Sequence, residues 1–147
     1  MTHHPDDNPP EGFVPTPQVA APELYAGPYY ERRVETGYQL GFRVADRHLN
    51  VAGDCHGGVL ATFADLQGYP IKKALNLAVV SPTISLSLDY VAPVKLGAWV
   101  QTEPQLVRRT KRLLFFASLI TADGEVALRT NGIYRLTEVP FALSGIF

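Results

Sequence analysis

The chain has 147 residues, 46% of them hydrophobic and 18% charged, with a net charge of −1. That fits one domain with a core of its own and gives no electrostatic case for a nucleic-acid partner. No stretch approaches the roughly 18 uninterrupted apolar residues of a membrane span, no basic segment leads into an apolar run as in a signal peptide, and a single Cys points to a reducing compartment, the cytoplasm.

Residues 1–28 hold seven of the twelve prolines and show no apolar period, so they read as a Pro-rich N-terminal arm, extended or disordered at its start. His3 and His4 have no third ligand type nearby, and no metal site is predicted. Residues 29–147 read as a single domain. In "GYQLGFRVA", Tyr38, Leu40, Phe42 and Val44 alternate with less apolar residues, the period of a half-buried strand. In "GGVLATFADLQGYP", Val59, Leu60, Phe63 and Leu66 recur at helical spacing. This predicts a helix from about Gly57 to Tyr69, bent or ended by Pro70 and extending at most to Leu75, with Asp54 as its N-cap.

Beyond the helix the pattern is strand throughout. "TISLSLDY" puts Ile84, Leu86, Leu88 and Tyr90 on one face. "GAWVQTEPQLV" is interrupted at Pro104, the mark of a bulge or an edge. "KRLLFFASLITA" is apolar on both faces and reads as a central strand covered on both sides. Asp123–Gly124 is a two-residue hairpin turn into "EVALRTNGIYRL", where Val126, Leu128, Tyr134 and Leu136 share a face. One amphipathic helix among five strands must bury its stripe on the sheet, so the predicted class is α+β, a curved antiparallel sheet of about five strands around one helix. The apolar end "VPFALSGIF" is expected to dock on a partner subunit.

The conspicuous pair for chemistry is Cys55–His56. Adjacent residues in an extended segment point to opposite sides, and a nucleophile needs its base within hydrogen-bond reach, so Cys55 reads as a small buried apolar residue. Gly57 and Gly58 follow at the helix start, where glycines admit close approach and free N–H groups face outward. They serve either as a plain tight turn or as donors to a developing oxyanion. Asp65 lies about 200° around the helix from Phe63, off the apolar stripe. Its helical neighbours Ala61, Thr62, Gly68 and Tyr69 carry no charge, so this face is expected against a ligand or a second chain. Gly57 and Asp65 are about 12 Å apart along the helix, too far to act on one carbonyl carbon. If both are catalytic, the helices of a symmetric dimer must each lend one of them to each of two sites. The run "RRTKR" at 108–112 is either a solvated hairpin loop or a phosphate clamp.

The pattern Asn50-x5-His56-Gly57-Gly58-x6-Asp65, with "SLDYVAPVKLG" and "ADGEVALRTNGIYRL" downstream, resembles the hot-dog-fold acyl-CoA thioesterases of the phenylacetate-degradation (PaaI) type. The resemblance covers Tyr38 to Leu136. It implies a hot-dog fold, an active homodimer that often pairs into a homotetramer, and hydrolysis of an acyl-CoA substrate with no separate cofactor. By position, Asp65 matches the catalytic general base or nucleophile, and the Gly57 amide the donor that polarises the thioester carbonyl. Asn50 matches the side chain that places the thioester or the water, His56 the residue that holds the loop, and Thr83 the hydroxyl that orients the water. Gly58 joins the substrate-facing backbone, and Arg109, Lys111 and Arg112 are the candidates for the coenzyme A phosphates. Two other readings compete: a non-catalytic acyl-CoA-binding module, and a hot-dog enoyl-CoA hydratase or dehydratase. The second lacks the Asp-x4-His pattern that such chemistry carries.

Overall fold

A computed structural model describes residues 6–17 and 21–141. In chain order the elements are β1 (Val14–Pro15), α1 (Ala21–Ala26), β2 (Tyr30–Val34), β3 (Gly37–Arg43), α2 (Gly57–Asp65), α3 (Gly68–Ala74), β4 (Thr83–Tyr90), β5 (Trp99–Thr102), β6 (Gln105–Arg109), β7 (Leu113–Ala122) and β8 (Glu125–Arg135). All strand pairs are antiparallel, in the order β1-β2-β3-β5-β7-β8-β4, with β6 also on β7. The predicted stripe of α2 supplies the centre of the core. Leu60, Phe63 and Ala64 are buried against Leu40, Phe42, Val100, Ile120 and Leu128 of the sheet, with Val59 and Leu66 at the margin. The expected wrapping of a sheet around one helix is therefore what the chain forms.

The sheet has eight strands rather than about five. One extra strand comes from the break at Glu103–Pro104, which divides the predicted second strand into β5 and β6, both still paired with β7. The others, β1 and β2, come from residues outside the predicted strands. Described residues of the Pro-rich segment make contacts with the sheet. Phe13 meets the Trp99 ring edge-on at 5.0 Å, the Tyr30 hydroxyl donates to the buried Asp7 carboxylate at 2.6 Å, and Val14–Pro15 pairs with β2. His3 and His4 lie outside the described residues, as does most of the apolar C-terminal stretch. The first part of that stretch returns to its own chain, where Val139 and Phe141 bond to Val80 and Ala78.

The helical segment is broken, as Pro70 requires, but upstream of it. α2 ends at Asp65 and α3 begins at Gly68. Pro70 sits in the first turn of α3, where its missing N–H costs nothing. The Leu66 carbonyl, four residues before the proline, accepts instead from the Tyr69 N–H at 3.0 Å.

Two strand readings are corrected. β7 is central but covered on one side: Leu114, Phe116, Ser118 and Ile120 are buried while Leu119 stands 55% exposed, and among the described residues no second layer lies over the outer face. Val126 does not share the inner face with Leu128 and Tyr134. A register shift between Ile120 and Thr121 sets Ala127 inward and leaves Val126 partly exposed.

Candidate active site

The loop before α2 is fixed by its own polar groups. The Asn50 side-chain oxygen accepts from the N–H groups of Ala52 at 2.9 Å and Asp54 at 3.2 Å, an Asx turn that closes the bend. The Asp54 carboxylate takes Lys95 at 2.6 Å instead of capping the helix. The N-cap is His56, whose Nδ1 accepts from the Gly58 N–H at 2.8 Å. The predicted cap at Asp54 is therefore corrected by two residues, because that carboxylate is committed across the loop and an imidazole nitrogen serves in its place. Gly57 is the first helical residue, and its N–H has no intrahelical acceptor. A Cβ on Gly58 would come within 3.0 Å of the His56 Nδ1, and one on Gly57 within 3.3 Å of the Tyr90 ring. Both glycines therefore keep this end compact. Tyr90, at the end of β4, donates its hydroxyl to the Gly57 carbonyl at 2.7 Å.

Asp65 is the last residue of α2 and exposed, although Phe63 and Ala64 beside it are fully buried. Its Oδ1 accepts from the Thr83 hydroxyl at 2.7 Å, and its backbone carbonyl accepts from the Tyr134 hydroxyl at 2.6 Å. Burial pushes the Tyr134 phenol up, so it stays a donor, and the Asp65 charge adds to that effect. The edge strand β4 thus touches α2 at both ends, through Tyr90 at Gly57 and through Thr83 at Asp65. Beside Asp65 opens a cavity of about 140 Å³, lined among others by Tyr29, Leu66, Tyr69, Lys72 and Tyr134. Lys72 is buried. It donates to the Val79 carbonyl at 2.8 Å and lies 5.0 Å from the Phe141 ring centre, and desolvation pulls its ammonium down to about 8.

Cys55 is 5% exposed, and burial pushes its thiol up to about 11, away from a reactive thiolate. Its sulfur faces the His56 carbonyl at 4.0 Å rather than the imidazole. His48 is also buried. Its Nδ1 accepts from the Ala45 N–H at 2.9 Å, and desolvation holds its pKa below the usual range. Arg109, Lys111 and Arg112 are exposed around the β6–β7 hairpin, whose turn is held by Thr110 Oγ1. Arg109 falls in one cross-strand row with Leu114, Tyr134 and Thr83. Three interstrand steps put it about 14 Å from Thr83 along that row, at the Asp65 end of the helix. Among the described residues no three His, Cys, Asp or Glu side chains are grouped as a metal site would need.

The structure thus joins Asp65 with Thr83, and His56 with Gly57 and Gly58, and leaves these two groups at opposite ends of one helix. It adds four residues that the sequence reading did not place in a site: Tyr134, Tyr90, Tyr29 and Lys72. The strand pattern already put Tyr134 and Tyr90 on the apolar faces of their strands. What it did not show is that their hydroxyls reach the two ends of α2.

Residues 52–128 match the family model of the thioesterase superfamily. The chain belongs to the thioesterase superfamily. A curated relative from Pseudomonas aeruginosa, whose name provisionally calls it an esterase, is 24% identical over 131 residues, 88% of this chain and 98% of its own length. Among solved structures, a hypothetical thioesterase of Streptococcus pneumoniae with coenzyme A shares 21% identity at a TM-score of 0.66, over 74% of this chain and 85% of that one. A variant of the phenylacetic acid degradation protein PaaI of Thermus thermophilus also shares 21% identity at a TM-score of 0.66, over 78% and 97%. These likenesses identify the sheet and helix of this superfamily member as the hot-dog fold. No helix among the described residues is long and apolar enough to cross a membrane.

Proposed function

We propose that this thioesterase-superfamily protein hydrolyses acyl-CoA thioesters at two sites of a homodimer, each built from the Asp65 end of one subunit and the Gly57 end of the other. The observation that carries the reading is the Thr83–Asp65 hydrogen bond at 2.7 Å. It orients one carboxylate oxygen and leaves the other free to take a proton from water. Asp65 removes that proton, and the water oxygen adds to the thioester carbon. The partner subunit's Gly57 N–H holds the resulting oxyanion. The C–S bond then breaks, and the thiolate leaves with the proton that Asp65 had taken, giving a carboxylic acid and free coenzyme A thiol. The scheme needs no cofactor beyond coenzyme A, which arrives as part of the substrate. Asp65 as a nucleophile, forming a mixed anhydride that water then opens, uses the same geometry.

Asn50 and His56 serve by holding the loop that presents Gly57 and Gly58, the roles their hydrogen bonds support. Arg109, Lys111 and Arg112 would meet the phosphates of coenzyme A, a role that their exposure on the β6–β7 hairpin supports. The outer side of the edge strand β4, which pairs with no other strand among the described residues and borders both ends of α2, is where two copies would meet to form the dimer. A further pairing into a tetramer belongs to the same reading, as does a cytoplasmic location, which the lone buried thiol fits.

The test is a hydrolysis screen over acyl-CoA thioesters of varied chain and ring, run on the wild type and on Asp65→Asn, with the dimer followed by sedimentation. The reading expects turnover of at least one thioester, lost in Asp65→Asn while the dimer persists. Full turnover by that variant would overturn it. Tight binding without turnover across the screen would favour the acyl-CoA-binding module, and hydration of crotonyl-CoA the hydratase.

A further inference from the structure

The start of α2 offers fewer free donors than a helix N-terminus normally does. In its first turn the Gly58 N–H donates to His56 Nδ1 at 2.8 Å, and the N–H groups of Val59 and Leu60 donate to the His56 carbonyl at 2.9 Å and 3.2 Å. The Gly57 N–H alone has no acceptor among the described residues. Its direction depends on two glycines in succession, which have no side chains to pack and the freest of backbones.

Tyr90 supplies the contacts that Gly57 cannot make for itself. Its ring lies beside the open flank of the glycine, where a Cβ would stand 3.3 Å from both Cζ and the hydroxyl oxygen and 3.4 Å from Cε1. Its hydroxyl donates to the Gly57 carbonyl at 2.7 Å. This bond satisfies no orphan group, since the carbonyls of a first helical turn already accept within the helix and only its N–H groups are left over. It fixes an orientation instead. Tyr90 is 54% exposed, so its ring adds little to the core. The strand that carries it is tied to the helix at both ends. Thr83 and Tyr90 are seven residues apart, and on a regular strand they would face opposite sides. The register shift between Thr83 and Ser85 turns both toward α2. One strand thereby holds the Asp65 carboxylate through Thr83 and the Gly57 backbone through Tyr90.

We propose that Tyr90 is a positioning residue for thioester hydrolysis: it fixes the backbone of Gly57, so that the one uncommitted N–H of the first turn keeps the direction that the developing oxyanion needs. This rests on the hydrolase reading above for what that N–H does. Tyr90 does not act on the reacting atoms, because its proton is committed to the Gly57 carbonyl. In the dimer of that reading, Tyr90 serves the site that holds the partner subunit's Asp65, not the site that holds the Asp65 of its own chain.

The experiment measures kcat and KM on hexanoyl-CoA, benzoyl-CoA and any thioester that the screen above adds. It compares the wild type, Tyr90→Phe, Asp65→Asn and a mixed dimer of one Tyr90→Phe and one Asp65→Asn subunit, isolated with two affinity tags. Tyr90→Phe keeps the ring, and its melting temperature confirms that it folds. The NMR order parameter of the Gly57 amide is measured in the wild type and in Tyr90→Phe. Tyr90→Phe is expected to lower kcat about fivefold with KM changed less than about twofold, and to lower the Gly57 order parameter from about 0.85 to about 0.6. The mixed dimer keeps one site in which an intact Asp65 faces an intact Tyr90, so it is expected to run at about half the wild-type rate, above the Tyr90→Phe homodimer. A defect spread through the variant subunit, or an action of Tyr90 on its own chain's Asp65, leaves the mixed dimer at about a tenth instead. Wild-type kcat in Tyr90→Phe, an unmoved Gly57 amide, or a mixed dimer at that lower rate each overturns the proposal, while hydrolysis that is lost in Asp65→Asn keeps the hydrolase reading standing. A loosened Gly57 amide with no hydrolysis of any thioester supports the positioning by Tyr90 and overturns the hydrolase reading.

Discussion

The two ends of α2 differ in what they offer a substrate. At Gly57 the helix presents backbone: a first-turn N–H, a cap by His56 Nδ1 at 2.8 Å, and a carbonyl closed off by Tyr90. At Asp65 it presents side chains: a carboxylate tied to Thr83, a buried phenol beneath it and an open cavity beside it. The first end offers a backbone donor at the start of α2, and the second offers a carboxylate that can take a proton. Each end lacks what the other has, and the rigid length of the helix keeps them apart within one chain. This is the physical case for two chains per site.

The comparison can be broken at the Asp65 end first. Asp65→Asn keeps the shape and removes the base, and turnover is expected to fall about a thousandfold with little change in melting temperature. Thr83→Val removes the donor to the carboxylate. A fall in kcat of about tenfold or more, as for a lost charge-assisted hydrogen bond, is expected from steady-state kinetics. At the other end, His56→Ala removes the cap. The expected cost is about 1 kcal/mol of stability, read as a melting temperature lower by about 4 °C, with a smaller loss of turnover than in Thr83→Val.

The smallest effect is the pH response of Lys72 in the cavity wall. Its folded-state pKa of about 8 lies below the ordinary 10.5, so between these values the unfolded chain holds a proton that the native state has released, and stability rises with pH across that window. Below pH 8 the penalty of the buried ammonium is fully present. Lys72→Met is expected to flatten this rise in urea unfolding series at pH 8 and pH 10, and an unaltered slope would show that the ammonium is hydrated.

Much of this contrast was legible in local pattern. The 200° offset of Asp65 from the apolar stripe is a property of helical geometry, and the residue is exposed beside two fully buried neighbours. Asp123 and Gly124 both adopt positive φ, as their hairpin turn demands. What failed did so where distant residues compete for a group. Asp54 looked like a cap until Lys95 claimed it. The proline-dense segment hid β1 and α1, because prolines interrupt the periodicities from which elements are read while leaving Phe13 free to pack on Trp99. Val126 was read on the wrong face because a bulge shifts the alternation by one residue.

The sequence by itself determined the helix and its apolar stripe, the strand that follows it, the order of the hairpins and the positions of Gly57 and Asp65, since all of these follow from spacing along a chain of fixed geometry. The tertiary structure alone decided that Thr83 and Tyr134 reach the end of the helix, that His56 closes its start, and that Thr16, Glu23 and Tyr29 wall the cavity. These depend on contacts between residues far apart in sequence, which burial and strand register bring together and no local period encodes.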